Sequence, residues 1–192
     1  MELWGWGQMK TELIVSVFGS SRPTENDVEY NEARALGRAL AEKGFAICTG
    51  GYAGTMEAVL RGAKDAGGKT YGVTSDAFPK AKANAWVDVE VRVGTWQERL
   101  FEIIRLGDGF AACKGGTGTL AELAVVWEMM NKSVMETKPV VAVGDFWKPI
   151  LDCVMQVESN GANPWAEGKD RVVRLEATVG EAAEFLARQL GR

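Results

Sequence analysis

Along the chain, short continuous apolar runs alternate with longer segments in which apolar residues return every three or four positions. The short runs have the length and composition of strands buried on both faces, and the longer segments have the period of helices. Residues 13–18 form the first such strand, followed by Gly19-Ser20-Ser21-Arg22-Pro23, a loop of small hydroxyls. Ala33, Leu36, Ala39 and Leu40 then predict a helix over residues 27–43, ended by Gly44 as helix C-termini prefer. Residues 45–48 are the second strand and Thr49-Gly50-Gly51-Tyr52-Ala53-Gly54-Thr55 a second loop, rich in glycine. A helix over 56–66 and a strand over 69–74 come next. Residues 76–86, with Pro79 and several lysines, read as an irregular connection, and 87–93 alternates apolar and charged residues like an edge strand. A helix over 95–106 leads to a strand at 109–113, a third loop at 114–119 and a helix from Leu120 to about Met130. The remainder predicts a strand at 139–143, a helix at 147–157, a polar loop at 160–170, a strand at 172–175 and a last helix opened by Thr178-Val-Gly-Glu181, a capping-box pattern.

Regular alternation of this kind predicts an α/β fold: a Rossmann-like three-layer sandwich with a mostly parallel sheet and helices on both faces. Strand-to-helix loops in such a sheet open on one edge, beyond the carboxyl ends of the strands, where ligands bind. The candidate binding residues therefore converge there: Gly19, Ser20 and Ser21 from the first loop, Gly50, Gly51 and Gly54 from the second, and Gly115, Gly116, Thr117, Gly118 and Thr119 from the third. Glycines let a phosphate approach the backbone, and the positive end of the following helix favours an anion. The plainer alternative is that glycine simply makes the turn, but the hydroxyls of Thr117 and Thr119 favour a ligand. Two familiar nucleotide sites are excluded. The first turn lacks Gly-x-Gly-x-x-Gly, and the second strand ends in Cys48-Thr49 rather than an acid. The stretch from Ala63 to Thr70 resembles a relaxed P-loop but follows a helix and enters a strand, the reverse of the required order.

Composition narrows the chemistry. The 192 residues suit one α/β domain, with residues 1–10 (including Trp4, Trp6 and Met9) as an apolar N-terminal arm expected to pack on the body or on a second subunit. That arm lacks the cationic start and long apolar core of a signal peptide, and no apolar run is long enough to span a bilayer. A net charge of -4, with no basic run, argues against nucleic acid as a partner. Cys48, Cys113 and Cys153 are odd in number and widely spaced, which fits a reducing cytoplasm. The chain has no histidine, which removes Ser-His-Asp and Cys-His catalysis and nearly all His-ligated metal sites. No metal and no cofactor is expected.

Catalysis is left to carboxylates, arginine, lysine, hydroxyls and backbone dipoles. Glu122 is placed in the first turn of the helix after the third loop, where the dipole favours an ionised carboxylate and a poor proton donor. Thr119-Leu-Ala-Glu122 is equally a capping box, in which the glutamate only caps. Arg99 falls near the edge of a buried helix face, where an arginine is more often a surface ion-pair residue. Trp96 and Trp127 offer rings for a base, although tryptophans at helical spacing usually belong to a core.

These residues resemble the lonely-guy (LOG) family, the cytokinin riboside 5′-monophosphate phosphoribohydrolases, whose signature is Pro-Gly-Gly-x-Gly-Thr-x-x-Glu with an arginine at fixed distance upstream. Here the motif reads Lys114-Gly-Gly-Thr-Gly-Thr-Leu-Ala-Glu122, with Arg99 at the matching position. The similarity extends from the Phe18-Gly-Ser-Ser21 turn through Gly50-Gly51 and Gly54-Thr-Met56 to Thr137-Lys-Pro139-Val. Members are also labelled lysine decarboxylase-like, but the chain shows no pyridoxal-phosphate machinery. The resemblance implies a homodimer or larger assembly that hydrolyses the N-glycosidic bond of a nucleoside 5′-monophosphate. Arg99 and Glu122 would be catalytic, the Gly115–Thr119 loop would hold the phosphate, and Met56 would join the binding residues. Lys114 in place of proline and Leu100 in place of a frequent lysine depart from the pattern. The alternatives are a non-catalytic nucleotide or molybdenum-cofactor carrier and, disfavoured by the acidic composition, a DNA-binding protein sharing the DprA-like core.

Overall fold

A computed structural model describes residues 12–160 and 172–192. The expected arm and most of the polar loop at 160–170 lie outside the described residues. The strands are β1 (Ile14–Phe18), β2 (Ala46–Thr49), β3 (Thr70–Ser75), β4 (Val89–Val93), β5 (Gly109–Ala112), β6 (Val140–Val143) and β7 (Val173–Glu176). The helices are α1 (Val28–Glu42), α2 (Thr55–Asp65), α3 (Trp96–Leu106), α4 (Thr117–Asn131), α5 (Lys148–Asn160) and α6 (Val179–Leu190), with a 3-10 turn at Asp145–Trp147. The strands form one seven-stranded sheet in the order β4-β3-β2-β1-β5-β6-β7. Every neighbouring pair is parallel, so the expected three-layer α/β fold is present.

The apolar runs became the central strands because a parallel sheet covered on both faces excludes water from every position. β1, β2 and β5 are buried along their whole length. One face packs Leu100, Ile103 and Ile104 of α3, Leu123, Val126, Trp127 and Met130 of α4, and Leu151 of α5 against the sheet. The other receives α1, α2 and α6 through Leu36, Leu40, Val59, Leu60 and Leu186. β4 is the exposed edge that its charged alternation predicted. The irregular 76–88 crossover reaches it without a helix and is pinned to the second loop by Asn84 Nδ2, which donates to the carbonyls of Gly51 (3.1 Å) and Tyr52 (2.8 Å). Among the described residues, no helix is long and apolar enough to cross a membrane.

Helices α1 and α2 meet backbone to backbone. A Cβ on Gly37 would overlap the Val59 carbonyl, and one on Gly62 would overlap that of Arg34. This contact sets where the N-termini of both helices arrive at the sheet edge. Gly37→Ala raises helix propensity by about 1 kcal/mol, yet overpacking at such a contact costs about 1–3 kcal/mol. We expect a net loss of stability in urea unfolding, opposite to what propensity alone dictates.

Candidate active site

The chain runs from β1 outward through β2, β3 and β4 in one direction and through β5, β6 and β7 in the other, so the order reverses between β1 and β5. Adjacent loops diverge at such a point and leave a crevice. A cleft of about 1170 Å³ opens there, lined by Gly19, Ser20 and Ser21 from the first loop, by Met56 and Arg99, and by Gly115 to Thr119 and Glu122. Gly50, Gly51 and Gly54 do not line it; they shape the loop behind it. Tyr52 and Ala53 of the second loop line it as well, so the cleft gathers all three expected loops.

The glycines divide by what surrounds them. A Cβ on Gly19 would strike the Thr55 side chain, one on Gly115 that of Thr119, and one on Gly50 would sit on the Arg99 guanidinium. Gly54, at φ 75°, presses against the first loop, whose Ser20 carbonyl accepts a hydrogen bond from the Thr55 N–H at 2.8 Å. Gly116 and Gly118 differ: nothing lies within 4 Å of a Cβ on either, and neither has positive φ. Helix α4 begins at Thr117, three residues earlier than its apolar pattern predicts, with Gly116 as N-cap and no side chain capping it. The first-turn N–H groups at Thr117, Gly118 and Thr119 therefore face the cleft beside two glycines that keep space open. By contrast, α3 and α6 carry complete capping boxes, Thr95–Glu98 and Thr178–Glu181. Thr117 is exposed at the helix start, whereas the Thr119 side chain is buried against Gly115.

The early start of α4 corrects the placement of Glu122. It stands in the second turn, and the Thr119–Glu122 capping box does not form. Its carboxylate is half-buried and makes no hydrogen bond or ion pair with the described residues. Burial pushes its pKa up to about 7, and the Arg99 charge opposes that rise. The expectation of a firmly ionised, dipole-stabilised carboxylate is thereby overturned: desolvation outweighs the weakened field one turn further from the helix end. A group with this pKa can both take and give a proton near neutrality.

Arg99 is also unlike its expected surface role, being only 7% exposed. Its Nε–H donates to the Val73 carbonyl at 2.8 Å and its Nη2 to the Gly50 carbonyl at 2.9 Å, with Met56 Sδ 3.6 Å away. Tyr52 and Phe78 place their rings 5.1 and 5.8 Å from the guanidinium carbon. Nη1 has no hydrogen-bond partner among the described residues. Burial lowers the Arg99 pKa against the opposing pull of Glu122, but an arginine stays cationic through such a shift. Backbone carbonyls thus fix the cation, leaving Glu122 and one edge of the guanidinium for a ligand.

Other positions fall on either side of the cleft wall. Trp96 lines it and is 41% exposed, whereas Trp127 lies in the core with its indole N–H unpaired among the described residues. Leu100 packs in the core and also lines the cleft. Lys114 is exposed at the rim and paired with Glu29 at 2.7 Å. Cys113 forms part of a neighbouring 510 Å³ cavity, with its thiol pushed up to about 12 by burial and so without nucleophilic character at neutral pH. Sequence reasoning missed Tyr52, Phe78 and Glu29. An aromatic inside a loop of small residues was the available signal for Tyr52; nothing local marked the other two.

Fold and cleft together define a Rossmann-like α/β protein with a candidate ligand cleft at its switch point. Residues 12–162 match the family model described as SLOG cluster4 family, and the chain belongs to that family. It is 30% identical over 133 residues to an uncharacterized protein of Archaeoglobus fulgidus, covering 68% of this chain and 83% of that one. It is 28% identical over 159 residues to a cytokinin riboside 5′-monophosphate phosphoribohydrolase of Rhodococcoides fascians, covering 79% and 78%. Among solved structures, the molybdenum cofactor binding protein of Rippkaea orientalis superposes with a TM-score of 0.71 at 25% identity, over 95% of this chain and 99% of that one. The LOG-type relationship expected from the motif is borne out, and the fold is shared with proteins named as binders.

Because the native state raises the Glu122 pKa, it holds a proton that the unfolded chain releases earlier; stability falls as pH rises from 4.5 to about 7 on this account. Glu122→Gln removes that penalty. At pH 8 the variant should melt higher than the parent, by roughly 3 °C for each kcal/mol relieved in a chain of this size, and the gain should vanish at pH 4 in scanning calorimetry.

Proposed function

We propose that the protein hydrolyses the N-glycosidic bond of a nucleoside 5′-monophosphate, AMP or an N6-substituted AMP, to free base and ribose 5-phosphate. The observation that carries this reading is the unpartnered Glu122 carboxylate, with a pKa near 7, facing the cleft beside a buried, backbone-held Arg99. Both positions match the family motif, and the R. fascians relative carries the name of this activity. The 5′-phosphate sits on the open N-terminus of α4, over Gly116 and Gly118, which anchors the ribose against Glu122. The C1′–N bond breaks with its electron pair passing to the base, and the ring gains oxocarbenium character that the Glu122 carboxylate stabilises. Water adds at C1′ and gives up a proton to Glu122, while the departing base takes one from solvent. Arg99, through Nη1, orients Glu122 or meets phosphate charge.

Incubation with AMP and with N6-isopentenyladenosine monophosphate, followed by chromatography for free base, tests this reading. Release should fall by about a thousandfold in Glu122→Ala, within the range of a lost general acid–base group, and strongly in Arg99→Ala. Because the carboxylate form is required, kcat/KM should rise with pH and level off above about 7. Base release that survives Glu122→Ala would overturn the assignment.

A second reading, a nucleotide or molybdenum-cofactor binding protein, is supported by the superposition with the R. orientalis protein. It needs the phosphate seat without turnover, so ligand binding with no base release from any nucleoside monophosphate would favour it.

We further infer a homodimer built on α4. This helix is apolar nearly all round, yet Leu120 and Ala124 are exposed in the single chain, a pattern that calls for a second buried side. A second copy is the simplest cover. Sedimentation should give a dimer, and Ala124→Lys a monomer.

A further inference from the structure

Lys114 occupies the position where the family signature has proline and directly precedes the glycine seat. Its ammonium is bonded to Glu29 Oε1, 2.7 Å away, from the first turn of α1. Glu32, about one turn further along α1, adds attraction from the same helix. Lys114 and Glu29 both line the 1170 Å³ cleft and also the 510 Å³ cavity beside it, so the pair stands on the wall between them. Its side chains are 54% and 37% exposed, and an ion pair this wet is weak enough for a dianion to displace.

We propose that the Lys114–Glu29 pair is a latch on the phosphate seat: an incoming phosphate monoester or inorganic phosphate takes Lys114 from Glu29. The inference rests on the Gly115–Thr119 loop being the phosphate seat, but not on hydrolysis. A lysine suits the exchange because its point charge rides on a flexible stem, whereas a backbone N–H cannot leave its place. Once delivered, the ammonium adds a charge-assisted hydrogen bond to those from the α4 N-terminus. Glu29 sits in the first turn of α1, where the helix dipole keeps it anionic after Lys114 departs. It therefore competes with phosphate for the same cation. Lys114 strengthens phosphate binding and Glu29 weakens it, opposite effects from two partners of one ion pair. A simple structural bridge would make the two substitutions act alike.

Calorimetric titration with inorganic phosphate and with AMP, using adenosine as the uncharged control, separates these cases in the parent, Lys114→Ala, Glu29→Gln and the double variant. Lys114→Ala should weaken phosphate and AMP binding about fivefold, and Glu29→Gln should tighten it about threefold, the scale of one exposed charge-assisted contact. Adenosine affinity should not change, and Glu29→Gln should have no effect once Lys114 is gone. Unchanged affinity in Lys114→Ala, weaker binding in Glu29→Gln, or a Glu29→Gln gain that persists without Lys114 would each overturn the latch. Base release measured on the same samples reads the hydrolase assignment separately. The latch pattern without release leaves the latch standing, and release with no variant difference removes the latch alone.

Discussion

A guanidinium buried among strand ends is costly unless its donors are satisfied, and the way Arg99 is satisfied organises the surrounding structure. Its partners are the Val73 carbonyl within β3 and the Gly50 carbonyl near the start of the second loop. Those bonds tie α3 to one strand and to a glycine loop at once. They also explain Gly50, which tolerates no side chain because the guanidinium occupies that space. Tyr52 and Phe78 complete the enclosure with ring faces, which attract a cation without neutralising it. The charge is fixed in place yet remains available.

Glu122 depends on that charge. Burial raises the Glu122 pKa and the Arg99 charge opposes that rise, and the balance leaves it at about 7. The same extra turn of backbone that removes Glu122 from the first turn of α4 leaves first-turn N–H groups without a side-chain cap. An uncapped helix N-terminus at the cleft and a titratable carboxylate thus arise together from one change in where the helix starts.

The likeness to a named hydrolase and to a named cofactor binder is physically consistent, since both uses need a crevice at the switch point and loops that admit phosphate. What distinguishes a reaction centre from a binding surface is a side chain held ready for proton transfer. In this cleft that feature is the Arg99–Glu122 arrangement rather than the glycine loops.

The order of strands and helices, the edge character of β4 and the three strand-to-helix loops that line the cleft were legible in the sequence. Each follows from local pattern: continuous apolar runs, helical spacing and glycine turns act over a few residues. The motif with its upstream arginine likewise pointed to Arg99 and Glu122. The state of those residues was not legible. Arg99 read as a surface ion-pair residue because its carbonyl partners are 26 and 49 residues away in the chain, and Glu122 read as a dipole-stabilised anion because Thr119-Leu-Ala-Glu122 mimics a capping box. Whether Gly50 makes room for a ligand or for a side chain is decided only where β2, β3 and α3 converge. Sequence by itself determined the elements and the chemistry available, since these depend on neighbours along the chain; burial, proton affinity and the start of α4 were decided by tertiary structure, because they depend on neighbours in space.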